Sequence, residues 1–264
     1  MIGLSGVTKI FNAGRPGEVT AIAAADLAVA RGEFVSLIGP SGCGKSTLLR
    51  LIADLAPPTT GRVTVAGKPA AQARKDRSYG MVFQKAGLFD WRTVRRNVEL
   101  PLELRGVGKA ERRERAAAML DLVGLTEFAG HYPAQLSGGM QQRVSIARAL
   151  ADGPPLLLMD EPFGALDEMT RERLQGELLR ICAETGTTVV FVTHSIDEAV
   201  FLSDRVAVMS ARPGRITEVV SVGLGARTED VRQSPEFFAA VTEVRRALRA
   251  PDRAVPAPAP AEPK

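Results

Sequence analysis

The chain has 264 residues, of which 45% are hydrophobic and 24% are charged, values that are ordinary for a soluble globular protein with one sizeable core. No apolar run is long enough for a transmembrane helix, and no basic start followed by an apolar segment indicates a secretory signal. The formal net charge is +4, but acidic and basic residues are interleaved, so no nucleic-acid partner is expected. Only two cysteines occur, which favours a reducing compartment without a disulfide framework.

The first third of the chain predicts strands separated by turns. Apolar or alternating runs predict strands over residues 4–11, 19–29, 33–38, 62–65 and 79–84, with a helix from Ser46 onward. Phe11 ends the first strand, and by itself it is typical of a core aromatic. Gln84 ends the strand over 79–84, a place where open α/β sheets contact ligands, although a lone glutamine is weak evidence.

The middle of the chain is helical in pattern. Helices are predicted over 95–104 and 109–123, and a third over 141–151, opening after Ser137-Gly138-Gly139. No strand pattern interrupts residues 93–150, so this block is interpreted as a helical subdomain inserted into an α/β core.

The last part alternates between strands and helices again. Strands are predicted over 156–160, 187–192, 205–209 and 216–220, and helices over 170–184, 196–202 and 234–249. The strands over 205–209 and 216–220 are expected to pair across a turn at Arg212-Pro213-Gly214. The last helix carries an apolar stripe that is expected to pack: Phe237, Phe238, Val241, Val244 and Leu248. The Pro/Ala-rich tail, 251–264, is predicted to be disordered.

One motif lies between the strand over 33–38 and the helix that follows. Its residues are Gly39, Pro40, Ser41, Gly42, Cys43, Gly44, Lys45, Ser46 and Thr47, which satisfy the phosphate-loop pattern G-x-x-x-x-G-K-[ST]. Backbone N–H groups and a helix N-terminus at one point favour anionic phosphates. Lys45 is expected to reach the β- and γ-phosphates, and the Ser46 hydroxyl to bind Mg²⁺. The alternative is an ordinary strand-to-helix turn. Cys43 is interpreted as a small filler and not as a nucleophile.

A second motif narrows the class of nucleotide-binding protein. Residues 136–143 read Leu-Ser-Gly-Gly-Met-Gln-Gln-Arg, so a hydroxyl and bare backbone N–H groups lie at a positive helix end. This is a second phosphate-binding device in one chain. The segment resembles the signature motif of ATP-binding-cassette (ABC) ATPases. Four further segments are similar to that family's motifs, in the family's order: Gln84, 156–161, 164–167 and Thr193-His194.

The resemblance implies a fold and a way of binding ATP. The fold is α/β: a P-loop NTPase core with a mostly parallel sheet and an N-terminal antiparallel β subdomain, and an inserted α-helical subdomain. The single domain spans 1–250, with the core at 1–92 and 151–225, the helical subdomain at about 93–150 and a C-terminal helix at about 234–249. Two subunits sandwich two ATP molecules, so that Ser137, Gly138 and Gly139 face a nucleotide on the partner subunit.

The resemblance also implies residue roles. Glu161 is the general base for hydrolysis, and His194 contacts the γ-phosphate. Gln84 and Asp160 join Ser46 as Mg²⁺ ligands. Asp167 lies at the dimer interface beside the nucleotide, and Phe11 stacks on adenine, where many relatives carry Tyr. The simpler alternatives stay open: a serine helix cap at Ser137, a second metal ligand or structural acid at Glu161, and a structural histidine at His194.

Residues 84–94 resemble the nitrate/sulfonate/taurine importer subfamily, which usually has Pro-Trp where this chain has Asp90-Trp91. This implies an ATPase subunit, most simply a homodimer, at the cytoplasmic face of the inner membrane. It docks on a separate permease and serves a solute-binding protein indirectly. Trp91 is a candidate permease contact, and the solute stays open. Two alternatives remain, a soluble ABC ATPase of translation or DNA repair and a regulatory nucleotide-binding subunit.

Overall fold

The computed structural model describes residues 1–225 and 227–250. In chain order the elements are β1 (Ile2–Phe11), β2 (Val19–Val29), β3 (Phe34–Ile38), α1 (Lys45–Ile52), β4 (Thr60–Val65), β5 (Lys68–Pro69), α2 (Ala70–Lys75), β6 (Gly80–Val82), α3 (Val94–Leu104), α4 (Lys109–Leu122), α5 (Gly138–Leu150), β7 (Leu156–Asp160), α6 (Glu168–Thr185), β8 (Thr188–Val192), α7 (Ile196–Leu202), β9 (Arg205–Met209), β10 (Ile216–Ser221) and α8 (Pro235–Arg249). Short 3-10 helices occupy Thr126–Phe128, Pro133–Gln135 and Glu229–Gln233.

The chain divides into two compact units. The first comprises residues 1–77 and the chain from 190 onward, and the second comprises residues 78–189. Strand β8 contains the boundary, because its first two residues belong to the second unit and the rest to the first.

The first unit contains two sheets. One has the order β2-β1-β4-β5, in which Ile2 of β1 lies opposite Val29 on one side and Val65 on the other, both pairings antiparallel. In the other sheet the strands of this unit follow the order β10-β9-β3-β8, with β3 parallel to β9 and β10 antiparallel to it. Every residue of β3 is buried, Ser36 included, as a mostly apolar run predicts for a strand covered on both faces.

The second unit combines short parallel strands with a group of helices. Strand β6 pairs in parallel with β7, so that Gly80 lies opposite Leu157 and Val82 opposite Met159. Helices α3, α4 and α5 pack against one another. Their buried residues include Val98, Leu120 and Val144, each on the apolar side of its helix.

Most predicted elements are confirmed, and several bounds match to the residue, including 156–160, 196–202 and 205–209. Helix α2 and the short β5 were not predicted. Helix α5 begins at Gly138, three residues earlier than predicted, and β6 covers only the middle of the predicted strand 79–84. The division into a core and a helical subdomain at residues 93 and 150 stays a prediction.

Helix α8 corrects one expectation about packing. Phe237, Val241 and Val244 are buried as predicted, but Phe238 is 58% exposed. Ala247 takes a buried place on the helix instead. The predicted disorder of 251–264 lies outside the described residues. Among the residues described, no helix is both long and apolar enough to cross a membrane.

Candidate functional site

The glycine-rich loop of the first unit joins a buried strand to a helix. Strand β3 ends at Ile38 and α1 begins at Lys45. Gly44 precedes α1 with φ 104°, and a Cβ there would lie 2.6 Å from Ile22 Cδ1, so only glycine fits. No side chain caps α1 and no acidic residue occupies its first turn. The positive end of the helix is therefore not neutralised by its own side chains, which favours an anion there.

Lys45 lies inside this loop and is only 7% exposed. Its ammonium donates to the carbonyl oxygens of Gly39 at 2.8 Å and Pro40 at 3.2 Å. These two hydrogen bonds stabilise the loop conformation and place a positive charge within the loop. Burial raises the pKa of the Cys43 thiol despite the opposing effect of Lys45. Cys43 is therefore protonated at neutral pH, in agreement with its interpretation as a filler.

A turn between β9 and β10 supports the loop from another side. The Arg212 guanidinium donates to the Gly42 carbonyl at 3.3 Å. Gly214 donates its backbone N–H to Ala21 at 3.0 Å and would overlap the Cys43 carbonyl oxygen if it carried a Cβ. From the sequence, this turn was expected only to connect two paired strands. No local pattern signals its contact with a loop some 170 residues earlier.

Two other predicted residues of the first unit, Phe11 and His194, are exposed. Phe11 is 43% exposed, with the Lys9 ammonium 5.1 Å from its ring centroid, so the interpretation of Phe11 as a core residue is wrong. His194 follows β8 directly. The Thr193 hydroxyl accepts from the Ser195 N–H at 3.0 Å and donates to Glu198, which fixes the backbone on both sides of the histidine. The roles of Phe11 at adenine and of His194 at the γ-phosphate stay predictions.

In the second unit, β7 carries its acids at the carboxyl end as predicted. Asp160 is 3% exposed, and Glu161 follows it with φ 46°, a left-handed backbone conformation that is rare outside glycine. The Gln84 amide donates to Glu161 Oε2 at 3.4 Å. Two residues that lie 77 positions apart in sequence are thus brought together at the end of parallel strands.

The structure places Ser137 and Asp167 at helix N-termini. Ser137 is exposed and accepts from the Met140 N–H at 3.3 Å, with Gly138 and Gly139 in the first turn of α5. Asp167 accepts from the Thr170 N–H at 2.9 Å, and this hydrogen bond is the main cause of the lowered pKa of its carboxyl group. The alternative interpretation of Ser137 as a helix cap is therefore confirmed. This cap leaves the side chains of Ser137 and Asp167 exposed, where a partner subunit could contact them.

Helix α5 forms hydrogen bonds to the segment around Gln84, a contact that was not predicted from the sequence. Gln142 is 2% exposed and donates to the Phe83 carbonyl at 3.1 Å. The Arg148 guanidinium donates to the carbonyls of Ala86 and Gly87, each at 2.9 Å. Gln142 belongs to the motif at residues 136–143, but its contact with Phe83 could not be predicted from that motif.

The loop over residues 89–93 is fixed by one buried side chain. Asn97 is fully buried, accepts from the Phe89 N–H at 2.8 Å and donates to the carbonyls of Phe89, Arg92 and Thr93, each at 3.1 Å. This loop presents Trp91, which is 74% exposed and whose ring lies 4.9 Å from that of Phe89. A large aromatic on a fixed loop is typical of a binding contact.

The buried strand, the glycine loop, the uncapped helix and the enclosed lysine define a P-loop nucleotide-binding fold. The family model described as ABC transporter matches residues 22–164. The chain belongs to the ABC transporter family, in which it is an ATP-binding ATPase.

Relatives and solved structures agree with this assignment. A Methanocaldococcus jannaschii protein described as an uncharacterized ABC transporter ATP-binding protein is 53% identical over 88% of this chain and 85% of its own length. The nitrate import ATP-binding protein NrtD of Synechocystis is 45% identical over 93% of this chain and 94% of its own. The taurine import ATP-binding protein TauB of Rhizobium johnstonii is 51% identical over 81% of this chain and 84% of its own. A dimeric post-hydrolysis structure of the ATP-binding cassette MJ0796, bound to ADP and Pi, superposes with a TM-score of 0.78 at 38% identity, covering 85% of this chain and all of that one.

Proposed function

We propose that this chain is the ATP-hydrolysing subunit of an importer for a small solute of the nitrate, sulfonate or taurine class. Two copies of the chain act on a separate membrane permease, at the cytoplasmic face of the inner membrane, and an external binding protein delivers the solute. Support comes from the names of similar proteins, nitrate import and taurine import ATP-binding proteins that match most of the chain. Docking on the permease is supported by Trp91, which is exposed on a loop that Asn97 holds in place.

ATP binding rests on the phosphate loop. The Lys45 ammonium is already directed into the loop by the Gly39 and Pro40 carbonyls, so its charge is available to phosphate oxygens with little rearrangement. The proposed Mg²⁺ ligands are Ser46, Gln84 and Asp160, whose hydroxyl, amide and carboxylate oxygens are the hard donors that this ion prefers. When bound, Mg²⁺ neutralises charge on the phosphates. Phe11 offers an exposed ring for the adenine.

Hydrolysis is assigned to Glu161, with His194 as its partner at the γ-phosphate. As general base, the Glu161 carboxylate accepts the proton of the attacking water. The hydrogen bond from Gln84 orients this carboxylate. A movement of the segment around Gln84 would therefore change the orientation of the general base. His194 donates to a γ-phosphate oxygen and holds the water in line. General-base catalysis of this kind contributes about 10²–10⁴-fold in rate.

The second phosphate-binding device supports a dimer. Ser137, Gly138 and Gly139 offer a hydroxyl and backbone N–H groups at the positive end of α5. In the proposed sandwich they bind the γ-phosphate of an ATP held by the partner subunit, and Asp167 lies beside the same nucleotide. Solved dimers of a similar cassette support this arrangement.

The first test uses Glu161→Gln, which is expected to bind ATP but to hydrolyse it about 10²–10⁴-fold more slowly. Glu127→Gln, an exposed glutamate change elsewhere in the second unit, is the matched control and should keep the wild-type rate. Tagged Glu161→Gln protein is then purified from its own host in mild detergent with ATP. Recovery of a polytopic membrane protein supports the importer. Recovery of ribosomes or DNA-repair factors instead, with no membrane protein, would refute transport while leaving the ATPase intact.

The second test addresses docking through Trp91. Trp91→Ala is expected to weaken permease binding and to lower permease-stimulated hydrolysis, because a central aromatic contact costs about 2 kcal/mol or more when truncated. Phe238→Ala removes an aromatic of similar exposure on α8 and should change neither. If Trp91→Ala binds the permease like the wild type, Trp91 is not part of the contact.

A further inference from the structure

Helices α3 and α4 of the second unit, with Trp91 and Arg92 of the preceding loop, line an open cavity of about 420 Å³. Its lining is strongly basic, because the following six cationic side chains face it: Arg92, Arg95, Arg96, Lys109, Arg112 and Arg113. Only two acids, Glu99 and Glu103, share the lining. No part of the nucleotide site described above uses this cavity.

The two acids are already engaged by part of the cationic set. Glu103 pairs with Arg92 at 2.7 Å, and this guanidinium lowers the pKa of the Glu103 carboxyl group. Glu99 faces Arg95 at 3.4 Å, and Arg112 donates to the Val107 carbonyl. Arg96, Lys109 and Arg113 have no ion pair or side-chain hydrogen bond with any residue in 1–225 or 227–250. Arg96 acts on Glu103 only through its charge, which also lowers the pKa of that carboxyl group, so the excess lies in the numbers: six cationic side chains share two carboxylates.

The helix geometry increases this excess of positive charge. Lys109, Arg112 and Arg113 lie near the start of α4, where the helix dipole is positive. The first turn also contains the acidic residue Glu111, which pairs with Arg115. Gly108 precedes α4 and provides no side-chain cap. Arg95 Nε lies 3.4 Å from Glu99 Oε1, whereas Arg112 Nε is buried without a hydrogen-bond partner among the described residues. Such groups are costly to bury unless something accepts from them.

We propose that this cavity, here called the α3–α4 cavity, binds a phosphate-type oxyanion that carries at least two negative charges. Guanidinium groups present paired N–H donors that match phosphate oxygens, and several of them around one cavity favour a polyvalent anion over a monovalent one. The ligand has two possible sources, a soluble phosphorylated compound and the headgroup of an anionic phospholipid. The site does not depend on the importer role of the chain.

Trp91 makes the α3–α4 cavity directly observable, because it lines the cavity and is the only tryptophan in the sequence. The experiment titrates the full chain with pyrophosphate and follows tryptophan fluorescence. It is repeated in a Lys45→Ala background, where binding at the phosphate loop is removed. A saturable change in both proteins is expected. No saturable change up to about 10 mM, or a change that disappears with Lys45→Ala, would overturn the proposal.

Variants locate the response. The double variant Arg96→Ala/Arg113→Ala is expected to weaken the response at least about tenfold, since each 1.4 kcal/mol lost corresponds to a factor of ten. Arg245→Ala, an exposed arginine on α8, is the matched control and should leave it unchanged. Circular dichroism checks that the double variant is folded. An equal loss in the control, or none in the folded double variant, would mean non-specific charge attraction and refute the site.

Vesicles identify the source of the ligand. Sedimentation with phosphatidic acid vesicles, whose phosphomonoester headgroup can carry two negative charges, but not with phosphatidylcholine vesicles, and its loss in the double variant would indicate a lipid headgroup. Pyrophosphate binding without sedimentation would indicate a soluble phosphorylated compound. Binding of a polyglutamate peptide with no response to pyrophosphate or to vesicles would overturn the proposal in favour of an acidic protein partner.

Discussion

Gly214 illustrates how a single residue far from a motif can set the motif's shape. Its backbone pairs with β2 on one side, through Ala21 and Ala23, and lies against the Cys43 carbonyl on the other. A side chain has no room there. The phosphate loop is therefore held between β2 and the turn that carries Arg212 and Gly214.

Gly214→Ala is expected to displace the Cys43 backbone, because the added methyl group overlaps its carbonyl oxygen. Overpacking of this kind costs about 1–3 kcal/mol, and the affinity for ATP should fall together with the free energy of unfolding. Urea unfolding and binding of a fluorescent ATP analogue measure the two effects. The control is Gly223→Ala, where an added Cβ meets nothing within 4 Å. Equal losses of stability and of ATP affinity in the two variants would contradict the requirement for glycine at position 214.

Cys182 makes a prediction about pH. Burial raises the pKa of its thiol from an ordinary value of 9.0 to about 12. The unfolded chain therefore releases this proton at lower pH than the folded chain, and folding loses stability as pH rises through the window from 9 to 12. Above pH 9 the loss should approach about 1.4 kcal/mol per pH unit. Urea unfolding of the wild type and of Cys182→Ala at pH 8 and pH 10 tests this. The wild type should lose more stability than the variant, and parallel losses would contradict the assignment.

At the scale of elements, α5 joins two motifs. Its first turn carries Ser137, Gly138 and Gly139, and its later turns hold the Gln84 segment through Gln142 and Arg148. One rigid helix thus spans a surface predicted to meet a partner subunit and a segment that contacts Glu161. A shift of α5 moves both ends.

Arg148→Met retains an apolar stem but removes both hydrogen bonds to residues 86 and 87. Each charge-assisted bond contributes about 1.5–3 kcal/mol, so hydrogen-exchange protection of the segment 83–88 should fall about tenfold or more, with a lower hydrolysis rate. Hydrogen exchange with mass spectrometry and steady-state ATPase assays measure these changes. Arg115→Met alters an exposed arginine of α4 and should leave both unaffected. Unchanged hydrogen-exchange protection in Arg148→Met would mean that α5 does not stabilise the segment 83–88.

The sequence predicted the elements whose signals are strong and local. The mostly apolar runs of β3, β7 and β8 favour burial on both faces, and these strands were found within one residue of their predicted bounds. Helix α2 was missed because six residues without a side-chain cap leave almost no pattern. The start of α5 was placed too late because two glycines disfavour a helix locally, whereas the Ser137 cap and the buried face of the helix outweigh them.

The candidate site was predicted only in part, because only some of its residues lie in local sequence motifs. Lys45, Gln84 and Glu161 lie within motifs, and so their positions were available from the sequence. Contacts such as Arg212 with Gly42, or Arg148 with Gly87, join residues that are far apart in the chain. Nothing in the local sequence marks such residues, and the exposure of Phe238 likewise depends on what α8 packs against.

On the scale of the whole molecule, the dimer is the main expectation. In the presence of ATP, Glu161→Gln protein should dimerise, since hydrolysis no longer separates the subunits. Adding Ser137→Ala should lower the dimer fraction, because the hydroxyl proposed to meet the partner's nucleotide is lost. Analytical ultracentrifugation with and without ATP measures this directly.

The matched control for the dimer is Ser234→Ala, which removes the side-chain cap of α8 in the same way that Ser137→Ala removes that of α5. Both variants should lose a similar amount of stability, about 0.5–2 kcal/mol. Only Ser137→Ala should lower the dimer fraction. Equal dimerisation of the two variants would mean that Ser137 is a helix cap and nothing more.

The backbone of Glu161 has a consequence for how this protein tolerates change. A glutamate at φ 46° costs about 1–3 kcal/mol, and glycine would relieve that cost. Selection for heat resistance alone would therefore favour Glu161→Gly, a more durable protein without its proposed base. Laboratory evolution of this chain should retain a screen for turnover, since one of the positions where glycine would relieve backbone strain is the residue on which turnover is proposed to depend.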